Sequence, residues 1–244
     1  MTTKDRDPTL NRLLAGIKPE AQRTLFPQMK LVDLAVGTVI SEVQQPIDFV
    51  YFPLQCIVSL LNVMENGSSA EIAVIGNEGL VGIAVFMGGE STPSRAVVQS
   101  AGPALRLPAG ALRKAFNNDA QMRDLLLRFT QTLIVQMAQT AVCNRHHTID
   151  QQLCRWLLLS LDRLPGNTLI MTQELIANML GVRREGVTEA AGKLQRKGVI
   201  EYQRGKITVL DRQKLESLCC ECYAVVQRET DRLNGQSPAL GLQK

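Results

Sequence analysis

The segment MTQELIANMLGVRREGVTEAAGKLQRKGVI, residues 171–200, decides the fold of the C-terminal part of the chain. It contains two stretches with helical periodicity separated by a tight turn. Thr172 is placed to cap the first helix, and Gly181 supplies the turn residue without a Cβ atom. The second helix is expected to start near Arg183, and no proline interrupts either helix. The pattern predicts a helix-turn-helix.

The apolar residues of this segment occur where the two helices of such a motif must touch. A small residue is needed at the crossing point, and Ala177 supplies it. The positions that hold the helices together are also apolar: Ile176, Leu180, Val182, Val187 and Ala190. A helical hairpin formed by chance would fail at several of these positions. The match therefore favours a genuine helix-turn-helix over an ordinary helical hairpin.

The residues that follow, GVIEYQRGKITVL (198–210), predict two short strands around Arg204-Gly205, the wing of a winged helix. Residues 171–210 contain seven Lys or Arg and four Asp or Glu, a modest basic excess that favours contact with a phosphate backbone. The alternative interpretation is a solvated helix whose charges only keep the protein soluble.

The outward-facing residues of the second helix have the chemistry of base readers. Arg184 can make bidentate bonds to guanine, Glu185 can accept from cytosine, and Thr188 can meet a base edge or a thymine methyl group. Five other residues are predicted to contact phosphates, which position a protein without reading sequence: Thr172, Arg183, Lys193, Arg204 and Lys206.

Upstream of this motif the sequence predicts two helices. Residues 149–164 form one, closed by Pro165-Gly166. A longer helix runs from about residue 119 to about residue 144, with an apolar stripe formed by Met122, Leu126, Phe129, Leu133 and Met137 and widened by Leu125, Ile134 and Ala141. Two interpretations stay open for the long helix: it packs in the core of its own chain, or it pairs with its copy in a homodimer.

Residues 30–110 are rich in strand patterns. Short apolar runs bounded by Gly, Pro or Ser follow one another, and Asn66-Gly67 is a strong hairpin signal. The runs are FVYFP, CIVSLLNVM, AEIAVI, VGIAVFM and RAVVQS. No amphipathic helix separates them, which argues against a parallel α/β fold. The spacing predicts a barrel or sandwich.

Composition excludes several classes of protein. The chain has 244 residues, a net charge of +4 and 45% hydrophobic residues, as is ordinary for a globular protein. The N-terminus lacks the apolar core of a signal peptide, and the longest apolar run, residues 80–87, is too short to span a membrane. Six scattered cysteines do not form a disulfide framework. We expect a cytoplasmic protein without a membrane partner. Motifs of common hydrolases, metalloproteases and nucleotide-binding enzymes are absent from the sequence, so no enzyme is predicted.

A β-rich domain, a long helix and a winged helix-turn-helix, in this order, resemble the Crp/Fnr family of bacterial transcription regulators over residues 10–215. Arg184-Glu185 and Thr188 match the family's recognition helix. Glu189 stands where many members have Arg, so we expect it to face the bases and to alter the half-site. The resemblance implies a homodimer that binds roughly palindromic double-stranded DNA and contacts RNA polymerase.

The same resemblance implies an α+β fold with three parts. These are a β-roll (jelly-roll-like) domain similar to cyclic-nucleotide-binding domains at residues 1–118, a dimerisation helix at 119–148, and a winged helix-turn-helix domain with a C-terminal helix at 149–244.

The effector site of the β-roll departs from the family pattern. Nucleotide-binding members have a Gly-Glu pair, but this chain has Gly79-Leu80, so no cyclic nucleotide cofactor is expected. Glu78, Gly79 and Arg95 are the tentative effector-binding residues, with Glu78 as a substitute for the missing acid. For Arg95 a structural salt bridge or a surface charge is an equal alternative. Because no cysteine precedes Cys56, an N-terminal iron–sulfur cluster is not expected.

The remaining candidate for metal binding or redox chemistry is the segment CCECY, residues 219–223. One Cys-x-x-Cys pair supplies only two of the four ligands that a zinc site usually needs. The segment 215–233 also has the pattern of one amphipathic helix in which cysteine is a small apolar filler. Cys143 is isolated, and His146-His147 is interpreted as a solvated helix end or a helix cap, so no metal site is predicted.

Two other functions stay open beside a DNA-binding regulator. One is a small-ligand sensor that signals to a protein partner, and the other is a thiol-based redox regulator acting through Cys219 and Cys222.

Overall fold

The structure, a computed structural model, describes residues 7–233. The two ends of the predicted first and third domains, residues 1–6 and 234–244, lie outside the described residues. A β-rich N-terminal part, a long helix and a helical C-terminal part with a small sheet follow one another along the chain, which confirms the predicted α+β class.

The N-terminal part is a β-roll made of two antiparallel sheets. Their strand orders are β1-β7-β3 and β2-β6-β4-β5. Apolar side chains from both sheets alternate inward and form one core, as expected for strands with one solvated face. The strands are β1 (Lys30–Leu34), β2 (Val39–Ser41), β3 (Phe49–Pro53), β4 (Ile57–Val63), β5 (Ser69–Ile75), β6 (Arg95–Ser100) and β7 (Gly102–Pro108).

The hairpin predicted at Asn66-Gly67 joins β4 to β5, and Gly67 has a φ of 83°. The prediction of a strand for VGIAVFM was wrong. Gly82 has a φ of 110°, which breaks the extended backbone, and Ile83–Val85 form a turn of 3-10 helix instead.

Four helices accompany the roll: α1 (Arg12–Ala15), α2 (Pro19–Leu25), α3 (Ala109–Asn118) and the long α4 (Ala120–His146). The side chain of Asp119 caps α4 by accepting from the amides of Gln121 and Met122. The predicted apolar stripe of α4 packs into the core of the β-roll, where Met122, Leu126, Phe129 and Leu133 are buried. That stripe is therefore core of its own chain, and Ile134 and Ala141, predicted to widen it, are exposed.

The C-terminal part has its own core, built around α5 (Ile149–Leu161). Its sheet has the order β8-β10-β9, and strand β8 was not predicted. The other elements are β8 (Thr168–Ile170), α6 (Gln173–Leu180), α7 (Arg184–Arg196), β9 (Ile200–Gln203), β10 (Lys206–Val209), α8 (Arg212–Leu218) and α9 (Glu221–Leu233).

The segment 215–233 is not the single helix that its pattern predicts. Cys219 has extended backbone angles, φ −77° and ψ 157°, and separates α8 from α9. The break turns the chain back towards the end of α4, against which α9 packs.

Candidate nucleic-acid interface

The helix-turn-helix forms at the predicted residues. The Thr172 hydroxyl accepts a hydrogen bond from the amide of Leu175 at 3.2 Å and so caps α6. Gly181 follows in the left-handed conformation, with a φ of 65°, and the amide of Val182 closes the turn on the carbonyl of Ala177 at 3.0 Å. A left-handed residue at this point favours glycine because it has no Cβ atom.

The predicted contact residues of the two helices lie between α6 and α7. Five of them are buried and Val182 is half-buried. The buried ones are Ile176, Ala177, Leu180, Val187 and Ala190. This packing fixes the orientation of α7, so the opposite face of that helix is held out to solvent.

The exposed face of α7 carries the predicted base readers. Arg184, Glu185, Thr188 and Glu189 are all exposed. The hydroxyl of Thr188 lies 2.7 Å from Oε1 of Gln173 and 3.0 Å from the Arg184 carbonyl. Gln173 therefore orients Thr188 and adds an amide to the same surface. Its position at the start of α6, directly after the cap, was the only signal that could have singled it out.

Lys193, predicted to contact a phosphate, has two acidic partners in the structure. Its ammonium group is 3.0 Å from Glu189 and 3.2 Å from Asp150, and the hydrogen bond to Glu189 is the largest cause of its raised pKa. The same pair compensates the negative charge of Glu189, which is otherwise unfavourable next to a phosphate backbone. In this geometry Lys193 offsets an acid on the reading face while its side chain remains 41% exposed.

The wing places further cations beside α7. β9 and β10 are joined by Arg204 and Gly205, both with positive φ (51° and 76°), as in the tight turns that suit a two-residue hairpin. Arg204 and Lys206 are exposed. The Tyr202 hydroxyl donates to the carbonyl of Met171 at 3.0 Å and ties the wing to the start of the motif.

A shallow depression lies between the wing and the helix-turn-helix. It is lined by Thr172, Gln173, Arg184, Tyr202, Arg204 and Gly205. The fold therefore brings together two predicted phosphate contacts and the predicted guanine reader, from three separate elements. Arg183 precedes α7 and is exposed next to them.

Each tentative effector residue of the β-roll has another structural partner. Oε1 of Glu78 is 2.7 Å from Nε of Arg163, and both side chains are buried. Its other oxygen accepts from the amide of Gly76. The prediction that Glu78 substitutes for a missing ribose ligand is thus corrected, because its carboxylate is committed to an arginine of the C-terminal part.

Gly79 and Arg95 also have structural explanations. A Cβ atom at Gly79 would overlap the ring of Phe129, so this glycine permits close packing of the roll against α4. Arg95 pairs with Glu42, the residue after β2, at 2.6 Å, and this hydrogen bond lowers the pKa of Glu42. Leu80, at the position of the missing acid, is fully buried in the apolar core. The salt-bridge alternative for Arg95 fits the geometry better than an effector role.

Burial affects the thiols on which a redox regulator would depend. Burial raises the pKa of Cys222 to about 11, and it raises the pKa of Cys219 well above its usual value. Both thiols are therefore protonated at neutral pH and are poor nucleophiles. This weighs against the alternative of a redox regulator acting through Cys219 and Cys222.

Comparison with known proteins agrees with this geometry. Residues 31–119 match the family model of the cyclic nucleotide-binding domain, and residues 151–218 match that of the Crp-like helix-turn-helix domain. The chain is 25% identical over 173 residues to the global nitrogen regulator of Nostoc sp. strain PCC 7120, covering 67% of this chain and 78% of that protein.

Solved structures show the same fold. FixK2 from Bradyrhizobium japonicum superposes with a TM-score of 0.66 at 18% identity, over 79% of this chain and 98% of FixK2. A Crp/Fnr-family transcriptional regulator from Thermus thermophilus superposes with a TM-score of 0.62 at 24% identity, over 78% of this chain and 97% of that one. Within residues 7–233, no helix combines the length and the apolar composition needed to cross a membrane.

Proposed function

Because the chain belongs to the Crp/Fnr family of transcription regulators, which have a helix-turn-helix DNA-binding domain, we propose that it acts as a homodimer that recognises a roughly palindromic DNA site. The observation that carries the proposal is the exposed row of Arg184, Glu185 and Thr188 on a helix whose other face is buried. The wing adds Arg204 and Lys206 beside that row.

The roles of these side chains follow from their positions. Arg184 is the first residue of α7, so its guanidinium projects from the end of the helix that enters the major groove. Thr188 lies one turn further along, oriented by Gln173. Arg183, Arg204 and Lys206 flank the row and are proposed to contact phosphates. Glu189 is paired with Lys193, and we propose that this pair alters the half-site relative to members with arginine there.

The exposed face of α4 supports the homodimer. Exposed residues recur along this helix at alternating spacings of four and three, which is the heptad pattern of paired helices. They are Leu127, Gln131, Ile134, Ala138, Ala141 and Arg145. This stripe is distinct from the buried stripe that packs on the β-roll, so α4 can serve both surfaces. The small residues Ala138 and Ala141 allow close approach of a second copy.

The β-roll is proposed to be a degenerate sensor with respect to cyclic nucleotides. Leu80 replaces the acid of the Gly-Glu pair and is buried, and Glu78 is paired with Arg163. A contact with RNA polymerase stays a prediction from the family resemblance.

The first prediction tests the reading helix. Duplexes bound from a random pool are sequenced, and the affinity for the best site is measured at several salt concentrations. Arg184→Ala is expected to weaken binding to that site by about 10- to 100-fold, because a bidentate contact to guanine contributes about 1–3 kcal/mol. The preference at the contacted base should relax at the same time.

Two control variants separate base reading from charge. Arg23→Ala removes the same charge from exposed α2 and is expected to leave the affinity unchanged. Lys206→Ala should weaken best-site and random duplexes alike and lower the salt slope by about one. Binding by the wild type without any sequence preference would contradict the proposal, as would an Arg184→Ala protein that retains full specificity.

The second prediction tests the dimer. Ile134→Lys is expected to weaken dimerisation by about 100-fold or more, because two ammonium groups would face each other in the desolvated seam. Light scattering after size exclusion gives the mass of each species. Ile170→Lys is the matched control, since Ile170 is 78% exposed and lies on β8, away from α4. A dimeric Ile134→Lys protein, or a monomeric wild type, would contradict the proposed seam.

A further inference from the structure

Four metal-ligating side chains, from two segments that are distant in sequence, lie together at the end of α4. Cys143 lies in its last turn, His147 is its C-terminal cap residue, and Cys220 and Cys222 lie at the start of α9. The three sulfur atoms and one ring nitrogen all lie within 4.8 Å of one another. The three cysteines are buried and His147 is half-buried. Cys143 is therefore not isolated in the fold, and His147 caps α4 as one of the sequence interpretations had it, but it is half-buried rather than solvated.

Two of the distances within this cluster are close to the edges of a tetrahedral site. The sulfurs of Cys143 and Cys220 are 3.6 Å apart, and the sulfur of Cys222 is 3.6 Å from Nδ1 of His147. A tetrahedron with metal–sulfur bonds of about 2.3 Å and a metal–nitrogen bond of about 2.0 Å has edges of about 3.8 Å and about 3.6 Å, respectively. The longest separation needs to shorten by only about 1 Å to complete that geometry.

His147 has the second partner that metal-ligating histidines usually have. Its Nδ1 faces Cys222, while its Nε2 is 3.3 Å from a carboxylate oxygen of Glu221. A carboxylate on the far nitrogen fixes the tautomer that leaves the near nitrogen free to bind a metal. The exposed Glu221 thus supplies an outer partner for the half-buried ring of His147.

A buried cation close to the cluster fits the charge of such a site. Three thiolates and one divalent ion carry a net charge of −1, which is unfavourable in a buried position without compensation. Arg155 is buried and its Nη2 donates to Thr140, one turn before Cys143 on α4. Its Nε has no hydrogen-bond partner within residues 7–233.

We propose that Cys143, His147, Cys220 and Cys222 bind one thiophilic divalent transition metal ion, Zn²⁺ in the first place. Sulfur and imidazole ligands without an oxygen donor select zinc-like ions over magnesium or calcium. The ion would join the end of the long helix to the start of the C-terminal helix, across 77 residues of sequence between Cys143 and Cys220. The proposal does not rest on DNA binding, and its readouts are independent of DNA.

Cobalt titration tests the site directly. The full-length protein is reduced, freed of metal with a chelator and titrated with Co²⁺ without oxygen. One Co²⁺ per chain should bind with thiolate-to-cobalt charge-transfer bands and the intense visible bands of a tetrahedral ion, and Zn²⁺ should displace it. Weak octahedral bands, or less than one equivalent at saturation, would overturn the proposal in favour of cysteines that only fill space.

Variants assign the ligands. Cys222→Ser is expected to abolish the tetrahedral spectrum, while Cys219→Ser, the same change three residues away at a sulfur outside the set, should retain it. Glu221→Gln should keep the spectrum but weaken Zn²⁺ binding by about 10- to 100-fold, as expected for an outer-shell partner. Equal loss in Cys219→Ser and Cys222→Ser would count against the assignment.

A measurement on the wild type covers the case in which Cys222→Ser fails to fold. Zn²⁺ should slow alkylation of Cys220 and Cys222, quantified by peptide mass spectrometry, and leave alkylation of the half-buried Cys219 unchanged. Equal rates with and without Zn²⁺ at Cys220 and Cys222 would overturn the proposal.

Discussion

Replacing Arg163 with methionine is expected to lower the free energy of unfolding by about 3–5 kcal/mol, because it leaves Glu78 buried without its partner. The two side chains are 8% and 10% exposed, and Nε of Arg163 donates to Glu78 at 2.7 Å. Nη1 of Arg163 also donates to the carbonyl of Leu159 at 2.6 Å, so a second acceptor loses its partner. The loss should appear as a lower midpoint in urea, followed by the fluorescence of the single Trp156.

Two further variants identify burial as the cause. Arg163→Met combined with Glu78→Leu should recover a large part of the lost stability, since it removes both charges. Arg95→Met breaks an ion pair whose side chains are 39% and 44% exposed, and it should cost less than about 1 kcal/mol. If Arg163→Met and Arg95→Met lowered the free energy of unfolding by similar amounts, burial would not be the reason for the larger contribution expected of the Glu78–Arg163 pair.

Stability is also expected to fall as the pH rises through about 7, because of Glu71. This carboxyl is buried, and burial raises its pKa to about 7, against the opposing effects of the Ser59 hydrogen bond and of Arg155 and Arg163. The unfolded chain has the ordinary pKa of 4.5, so the folded state holds the proton more tightly. The stabilisation is complete below pH 4.5 and is lost as the pH rises through about 7.

The hydrogen bonds around Glu71 suit its protonated form. The carboxyl can donate to the Ser59 hydroxyl at 2.5 Å, Ser59 donates to Gln99 at 2.8 Å, and Gln99 donates to Ser160 on α5 at 3.3 Å. A protonated Glu71 therefore gives Ser59 and Gln99 one donor and one acceptor role each. The chain runs from the β-roll to the first helix of the C-terminal part.

Glu71→Gln should remove this pH dependence. The amide keeps a donor and an acceptor but does not titrate. Between pH 5 and 8, the free energy of unfolding of the variant is therefore expected to change by up to about 3 kcal/mol less than that of the wild type. Urea unfolding over this range measures the difference. Glu42→Gln is the control, because the pKa of Glu42 is lowered and its titration lies below this range. Parallel pH profiles for Glu71→Gln and the wild type would contradict the assignment.

The helix-turn-helix could be predicted because local rules and global packing agree there. Thr172 as a cap, Gly181 as a left-handed turn and the apolar set between α6 and α7 are each decided within one or two turns of helix. The runs that predicted β3, β4, β5 and β6 were equally local, whereas no run was identified for β1 or β7. The prediction failed at Gly82, where a positive φ ends the extended backbone inside an apolar run.

The sites that the sequence did not reveal depend on contacts between distant residues. Glu78 and Arg163 are 85 positions apart, and no local pattern pairs them. Cys143 and Cys220 are 77 positions apart and come together only because the helical conformation is interrupted at Cys219. On α4, periodicity identified an apolar stripe but not its partner. Both faces carry apolar residues, and only the packed structure shows that Phe129 points into the roll while Ile134 points away from it.

The turn at Gly181 has a consequence for communication between the two halves of the molecule. A Cβ atom at this position would lie 3.2 Å from the Cβ atom of Ala70 on β5, so the turn rests against the β4–β5 hairpin with no side chain between them. A shift of the hairpin towards the turn by more than a few tenths of an ångström must therefore displace the turn between α6 and α7. The β-roll thus touches the helix-turn-helix directly at this turn, in addition to the connection along α4 and the polar contacts with α5 and Arg163.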